Sequence, residues 1–188
     1  MGFTLAELLV VISIMTIILT TYLWNLTAFN QELAIGRLAQ QMALTFRDAE
    51  SRAMAVRTDV YADPRSFPTG YGLYFDTSDP QRYILFVDRS TSGRVGLYDP
   101  DQNEKVATFD LGAFVRISDL QKNPAGAPVA INSSLTVVFR RPIPAVEARV
   151  DGSSGISPEN NFGVVLTSAN GAYKRTIQIW TTGQISLQ

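Results

Sequence analysis

The sequence predicts an α+β protein in which one long N-terminal helix packs on an antiparallel β-sheet head. The distribution of helix-breaking residues indicates this division. All nine Pro and eleven of the thirteen Gly lie at or beyond position 64, so residues 3–63 contain neither except Gly36. An uninterrupted stretch of this kind is typical of a helix, whereas short apolar runs separated by Gly, Pro, Asn and Asp are typical of strands and turns.

Composition excludes several classes of chemistry. The 188 residues include 16 Lys+Arg and 17 Asp+Glu, but no Cys and no His. This composition therefore excludes thiol nucleophiles, Ser-His-Asp triads, disulfide scaffolds and the common zinc sites. No catalytic set is recognisable among the remaining residue types. We therefore expect a protein that is not an enzyme and that needs no cofactor or metal, with a membrane-anchored enzyme as the weakest alternative.

The first part of the helix is apolar enough to cross a membrane. No charged residue occurs between Leu8 and Gln31, a stretch of 24 residues. A helix needs about 20 residues to span the hydrocarbon core of a bilayer. The sequence therefore predicts a transmembrane segment over residues 3–31.

An amphipathic continuation follows over residues 32–57. Apolar residues recur there at intervals of three and four, and charged residues occupy the other faces. A helix running unbroken from Phe3 to about Arg57 would be about 80 Å long. The residues predicted to pack on the head are Ile35, Leu38, Met42, Phe46, Ala49, Ala53 and Val56.

Residues 58–188 are predicted to form the β-rich head. Their short, evenly spaced apolar runs leave no room for crossover helices, which favours an antiparallel sheet packed on the helix. The predicted strands are Tyr71–Asp76, Tyr83–Asp88, Arg94–Tyr98, Lys105–Asp110, Phe114–Ser118, Leu135–Arg140, Gly163–Thr167, Tyr173–Thr181 and Gln184–Leu187.

The first residues carry a specific motif. The string Gly2-Phe3-Thr-Leu-Ala-Glu7, followed by an apolar run, resembles the class III signal of type IV pilins and pseudopilins. The resemblance implies that residues 1–2 are a leader remnant, that prepilin peptidase cuts between Gly2 and Phe3, and that the new amino group of Phe3 is methylated. It also implies that Glu7 sets the register between subunits by pairing with a neighbouring terminal ammonium. A single-pass anchored protein with an extracytoplasmic β domain is the alternative.

Two later segments resemble one subgroup of this superfamily. The helix end from Leu38 to Arg57 and the closing Thr182-Gly183-Gln184-Ile185 are similar to those of H-type minor pseudopilins of type II secretion and FimT-type minor pilins. Pilin leaders usually carry Lys or Arg before the cleavage site, whereas Met1 alone precedes Gly2 here. We therefore expect the natural leader to be longer.

The resemblance implies a structural role in a type II secretion pseudopilus or a type IV pilus. The implied partners are other pilin or pseudopilin subunits, prepilin peptidase, the inner-membrane assembly platform, and membrane lipid before assembly. The protein would lie in the inner membrane with an extracytoplasmic head, and then in a periplasmic or extracellular filament.

The competing function is a pilus-borne DNA receptor or an adhesin that acts through the head. A basic stripe is conceivable on neighbouring strands, formed by Arg140, Arg141, Arg149, Lys174 and Arg175. Beyond Arg57, however, 12 basic residues face 13 acidic ones, and phosphate binding needs a net local positive potential. The sequence therefore favours the structural role over DNA binding.

Two further patterns have ordinary explanations. Asp99-Pro-Asp-Gln-Asn103 begins like a calcium loop with Asp110 at the twelfth position, but Glu104 stands where the loop requires Gly, and the same string is typical of a turn. The second pattern is an alternation of aromatic residues that predicts core side chains of strands rather than a platform for stacking sugars or bases. Its members are Tyr71, Tyr74, Phe75, Tyr83 and Phe86.

Overall fold

A computed structural model describes residues 2, 4–55, 69–89, 95–124, 126–140, 145–153 and 155–188, with the backbone alone at 24, 25, 27, 28 and 102. One helix, α1, runs from Leu5 to Met54 over 50 residues, about 75 Å. The predicted long helix is therefore confirmed, but it ends three residues before Arg57. Ala55 already has an extended backbone, and the predicted packing residue Val56 lies outside the described residues, as does Arg57.

The first part of α1 is exposed, in contrast to the second part. Its segment Leu5–Leu23 is exposed throughout, and it is long and apolar enough to cross a membrane by length and composition. The hydroxyls of Ser13, Thr16 and Thr20 each donate to a carbonyl four residues earlier, at 2.8, 2.8 and 2.7 Å. These polar groups are thus satisfied within the helix, as an apolar environment requires.

The second half of α1 packs on the head along one stripe. Ile35, Met42, Phe46, Ala49 and Ala53 are at most 2% exposed, as the spacing predicts. Leu38 is only partly buried, and the adjacent Ala39 takes a buried place that the sequence pattern did not indicate. Burial of each large apolar side chain contributes about 1.5–3 kcal/mol. This stripe therefore fastens the helix to the head.

Ten strands form the described head. They make two five-stranded sheets, in which every neighbouring pair is antiparallel. The first sheet has the order β3-β2-β1-β6-β7 and the second β10-β9-β8-β4-β5. The predicted antiparallel arrangement is therefore confirmed, but the strands form two sheets instead of one. The strands are β1 Gly70–Asp76, β2 Arg82–Asp88, β3 Lys105–Asp110, β4 Val115–Lys122, β5 Val129–Ala130, β6 Ser134–Arg140, β7 Val146–Val150, β8 Asn161–Ser168, β9 Lys174–Trp180 and β10 Ile185–Leu187.

One core joins the helix to both sheets. The inward side chains of each sheet and the buried stripe of α1 form a single apolar cluster. Within it, a series of rings runs from the helix across the first sheet: Phe46 lies 5.8 Å from Phe75, Phe75 lies 5.7 Å from Tyr83, and Tyr83 lies 4.9 Å from Phe109. Tyr83 also bonds Thr45 of α1 through its hydroxyl, at 3.2 Å.

Eight of the nine predicted strands are present, with ends shifted by up to four residues. The exception is Arg94–Tyr98, of which Arg94 lies outside the described residues. Residues 95–98 form a turn and irregular backbone instead, because Gly96 adopts a φ of +84° and its N–H donates to Asp88 rather than to a strand. Two strands were not predicted. The first, β5, is only two residues long, whereas β7 has a period-two pattern that was overlooked.

Candidate functional site

The start of α1 is a capping box formed by Thr4 and Glu7. The Thr4 hydroxyl accepts from the Glu7 N–H at 3.3 Å, and Glu7 Oε2 accepts from the Thr4 N–H and hydroxyl at 3.0 and 2.9 Å. This arrangement satisfies backbone donors at the helix end. Among the described residues, Glu7 Oε1 has no hydrogen-bond partner.

The residues of the predicted cleavage site flank this box. Gly2 is exposed, and a side chain added there would meet nothing within 4 Å. Phe3, the predicted methylation site, lies outside the described residues. Cleavage between Gly2 and Phe3 would leave both Thr4 donors in the chain, so the capping box is compatible with processing.

Arg140 takes part in a partly buried ionic cluster. Its Nη2 lies 2.9 Å from Oδ2 of Asp88, a side chain that is 1% exposed, and its Nη1 lies 3.3 Å from Glu147 Oε2. Arg149 Nη2 lies 3.6 Å from the same Glu147 oxygen. The Arg140 charge is therefore opposed by two carboxylates. Arg141, the neighbouring member of the predicted stripe, lies outside the described residues.

Lys174 and Arg175 begin β9 in the second sheet, and both are exposed. Because successive strand residues point to opposite faces, their side chains diverge. The pairing register instead aligns Lys174 with Thr167 of β8, and Thr167 with Arg116 of β4. Arg116 is also exposed. The same-face basic neighbour of Lys174 is thus Arg116, which sequence reasoning did not select, and the two lie about 10 Å apart across two strand spacings.

The predicted basic residues are also separated along the head. Val146 pairs with Phe139, the residue that precedes Arg140. The Val146 N–H donates to the Thr181 carbonyl at 2.9 Å. Arg140 therefore lies near the C-terminal end of β9, whereas Lys174 lies at its start, about 20 Å away along the strand. Among the described residues, the structure brings Arg140 and Arg149 together beside Glu147, but it places Lys174 away from them.

The calcium-like string forms a short turn. Pro100–Gln102 is a 3-10 helix, Asp99 accepts from the Asp101 N–H as its N-cap, and Asn103 ends it with a φ of +54°. Glu104 is buried, and its carboxylate accepts from the N–H groups of Asp99 at 2.8 Å and Arg89 at 3.1 Å. No group of three carboxylates with metal-binding geometry occurs in the described part of the chain. The 3-10 helix and its Asp99 and Asn103 caps match the turn that the string predicts.

Residues 95–104 lie across the outer face of the first sheet, meaning the face turned away from the core. Leu97 is buried, and the Tyr98 ring lies 5.5 Å from Phe86 and 5.0 Å from Tyr74. The prediction that the alternating aromatics are core residues holds for Phe75 and Tyr83, and Tyr71 packs against the same core while partly buried. Phe86 is also fully buried, but on the outer face of the sheet, whereas Tyr74 faces outward and is only partly buried.

Burial raises the pKa of the Tyr74 phenol to about 12, with a further contribution from the Asp76 carboxylate. Burial also raises the pKa of the Tyr98 phenol, and that of the Glu104 carboxyl. The phenols of Tyr74 and Tyr98 are therefore hydrogen-bond donors at neutral pH. The sequence analysis did not select Tyr98 because that residue ended a predicted strand. Gly96, two residues earlier, was the available signal for a turn.

Comparison with known proteins gives no relative for this arrangement. The chain matches no family model, no curated protein and no solved structure.

Proposed function

We propose that this chain is a minor pseudopilin or minor pilin, a structural subunit of a type II secretion pseudopilus or a type IV pilus. Prepilin peptidase would cut between Gly2 and Phe3, and the apolar half of α1 would then move from lipid into a bundle of similar helices. The proposal rests on the N-terminal motif and on one structural observation: α1 is a continuous helix whose apolar half is exposed and whose other half is fixed to the head.

The exposed half of α1 supports assembly through this helix. Large apolar side chains on all its faces are more than half exposed, including Leu9 at 61%, Ile12 at 56% and Ile18 at 62%. Contiguous exposed apolar surface marks a site for lipid or for another protein. Lipid and neighbouring apolar helices can both cover this apolar surface. A subunit that moves from the membrane into a filament would meet each of them in turn.

The capping box supports a role for Glu7 in the register between subunits. Glu7 lies in the first turn of α1, directly before the uncharged segment, and a carboxylate becomes more costly the deeper it lies in an apolar environment. A charge partner gained on assembly would therefore be favourable. Both described contacts of the carboxylate use Oε2. Oε1 thus remains available to accept from the terminal ammonium of a neighbouring processed subunit.

Mass measurement tests the processing step. We expect the mature chain from its native host to begin at Phe3 and to carry one additional methyl group, as determined by intact mass and N-terminal sequencing. A strain without prepilin peptidase should retain the residues before Phe3. An unprocessed chain in both strains would overturn the proposal.

Cross-linking tests assembly, and the chain suits it because it has no Cys. A single cysteine at Ile17, which is 67% exposed, should cross-link to neighbouring filament subunits when the peptidase is present. Glu7→Gln should reduce this cross-linking, whereas Glu32→Gln should not, since Glu32 is the carboxylate beyond the other end of the uncharged segment. Equal effects of the two substitutions would contradict a register role for Glu7.

The DNA-receptor alternative was predicted to use Arg140, Arg141, Lys174 and Arg175. Of these, Lys174 shares one face of the second sheet with a further exposed basic residue, Arg116. The test of this alternative is DNA affinity at several salt concentrations for the double variant Lys174→Gln/Arg116→Gln, compared with a variant carrying Arg37→Gln on α1. A selective loss of affinity in the first variant, with filaments intact, would favour the receptor. Unchanged affinity would favour the structural role.

A further inference from the structure

Among the described residues, the 95–104 segment covers only part of the outer face of the first sheet. The register aligns Tyr74 with Ile84, and Ile84 with Thr108, in one row across three strands. This row lies beside the Phe86–Tyr98 contact and lines a half-open cavity of about 210 Å³, which Tyr98 also lines. The cavity is thus bounded by the sheet on one side and by the covering segment on another.

Aromatic rings form the apolar part of the cavity. The ring centroids of Tyr74 and Tyr98 are 5.0 Å apart, and the ring planes are inclined by 37°. Both side chains are only partly buried. Each therefore offers apolar ring surface to a ligand while keeping a hydroxyl that can hydrogen-bond.

Charged side chains of both signs surround these rings. Asp76 and Asp79 contribute carboxylates, while Arg82 and Lys105 contribute cations. Arg82 Nη2 lies 2.9 Å from Asp79 Oδ2, with 55% and 44% of the respective side chains exposed. The Tyr74 hydroxyl donates to Asp76 Oδ2 at 3.1 Å. The lining therefore offers donors and acceptors together, and its two positive and two negative groups balance.

We propose that this cavity binds one ring of a neutral saccharide. A sugar ring has an apolar C–H face that matches the rings of Tyr74 and Tyr98, and hydroxyls that both donate and accept, which match Asp76 and Lys105. The balanced charge favours a neutral ligand over a phosphate or a cation. A nucleotide fits less well, because the balanced lining offers its phosphate no net positive potential.

The site goes beyond the proposed structural function and is independent of it, since it uses no residue of α1. Binding can therefore be measured on the unassembled full-length chain. The chain should be held in dodecylphosphocholine micelles, because detergents with sugar headgroups would occupy the site. The probes are methyl glycosides of glucose, galactose, mannose and N-acetylglucosamine, with binding read by saturation-transfer NMR and titration.

We expect at least one of these glycosides to bind the natural chain. Tyr74→Leu should weaken binding about tenfold, through loss of ring contact and of one hydroxyl. Lys105→Gln should weaken it to a smaller extent. Because Lys105 is exposed and lies on an edge strand, this second variant is expected to fold even if Tyr74→Leu does not.

Matched surface variants provide the controls. Arg82→Gln breaks an exposed ion pair with Asp79 at 2.9 Å, and Arg52→Gln breaks an exposed ion pair with Asp48 at 2.8 Å. Of these two arginines, only Arg82 lines the cavity. Arg82→Gln should weaken saccharide binding and Arg52→Gln should not. The proposal would be overturned if no glycoside bound, or if binding were unchanged in both Arg82→Gln and Lys105→Gln.

Discussion

Arg140 of β6 and Asp88 of β2 form an ion pair with an N–O distance of 2.9 Å, although the two strands are separated by β1. Asp88 also accepts from the Gly96 N–H, at 3.1 Å, so one carboxylate oxygen joins the sheet to the 95–104 segment. Arg140, which the sequence analysis named only for the less favoured DNA-binding alternative, thus has a structural partner.

Arg140→Gln should destabilise the head by about 3 kcal/mol, because it leaves a buried carboxylate without its charge partner. Chemical unfolding of the full chain in micelles measures this loss. Arg175→Gln removes the same charge from an exposed position and should change stability by less than about 0.5 kcal/mol. Equal stabilities of the two variants would contradict the buried-pair assignment. A DNA-binding defect in an Arg140 variant therefore needs a folding control.

Phe46→Ala should destabilise the chain by about 3–5 kcal/mol. Phe46 is fully buried between α1 and the first sheet, and its removal opens a cavity at the start of the ring series. Leu44→Ala is the comparison, since Leu44 lies two residues away on the same helix but is 69% exposed. Unfolding midpoints should shift strongly for the first variant and little for the second. A small shift for Phe46→Ala would mean that the helix is not fixed to the head by this stripe.

Gly96→Ala should cost more stability than Gly112→Ala. Both glycines have a positive φ, +84° and +71°, so a side chain costs about 1–2 kcal/mol of backbone strain at either position. At Gly96 the added carbon would also lie 2.4 Å from Arg149 Nε, whereas at Gly112 it would meet nothing within 4 Å. Denaturant titration of the two variants isolates this steric difference. Indistinguishable losses would argue against close packing of the 95–104 segment.

Asp151 should make stability depend on pH in the acidic range. Burial of its carboxyl favours the neutral form, but hydrogen bonds from the Ser133 N–H and hydroxyl, at 2.8 and 3.0 Å, outweigh this and lower the pKa from 3.8. The ionised Asp151 carboxylate therefore stabilises the folded state above pH 3.8, and this contribution is lost as the pH falls through the lower pKa of the folded state. Asp151→Asn should therefore be less stable than the natural chain at pH 7, with the difference shrinking below pH 3.8.

Urea titrations of both proteins at pH 7, 5 and 3 measure this dependence. Ser133→Ala is the matched variant, since it removes one of the two Ser133 donors and should reduce the pH dependence without abolishing it. A difference between the natural chain and Asp151→Asn that stays constant with pH would contradict the assigned ionisation.

The elements of this fold follow from local patterns, whereas their arrangement does not. The spacing of Ile35, Met42 and Phe46 indicates which side of the helix is buried. Period-two alternation likewise indicates which side chains of a strand face inward. Neither pattern specifies which strands pair, and the strands flanking β1 are close in sequence on one side but far on the other. The sequence therefore predicts most strands, but not their division between two sheets.

The candidate sites show the same limit. The N-terminal motif is contiguous, so sequence reasoning could select Gly2, Phe3 and Glu7 together. Lys174 and Arg116 are 58 positions apart in the sequence, and they share one sheet face only because β4, β8 and β9 pair side by side. Tyr74 and Tyr98 meet because an irregular segment crosses the sheet. Contacts that depend on strand order or on loop path are not encoded in any local pattern.

The described helix has no Pro, and it passes without interruption from its exposed apolar half to the half fixed on the head. In a straight helix of about 75 Å, a change of tilt at one end moves the other end sideways. A tilt of about 10° at the apolar end, well within the range found for membrane helices, would swing the far end sideways by about 13 Å. If the apolar half lies in a membrane or a helix bundle, as proposed, changes in membrane thickness or in the packing of neighbouring helices would reposition the head without any change in its own structure.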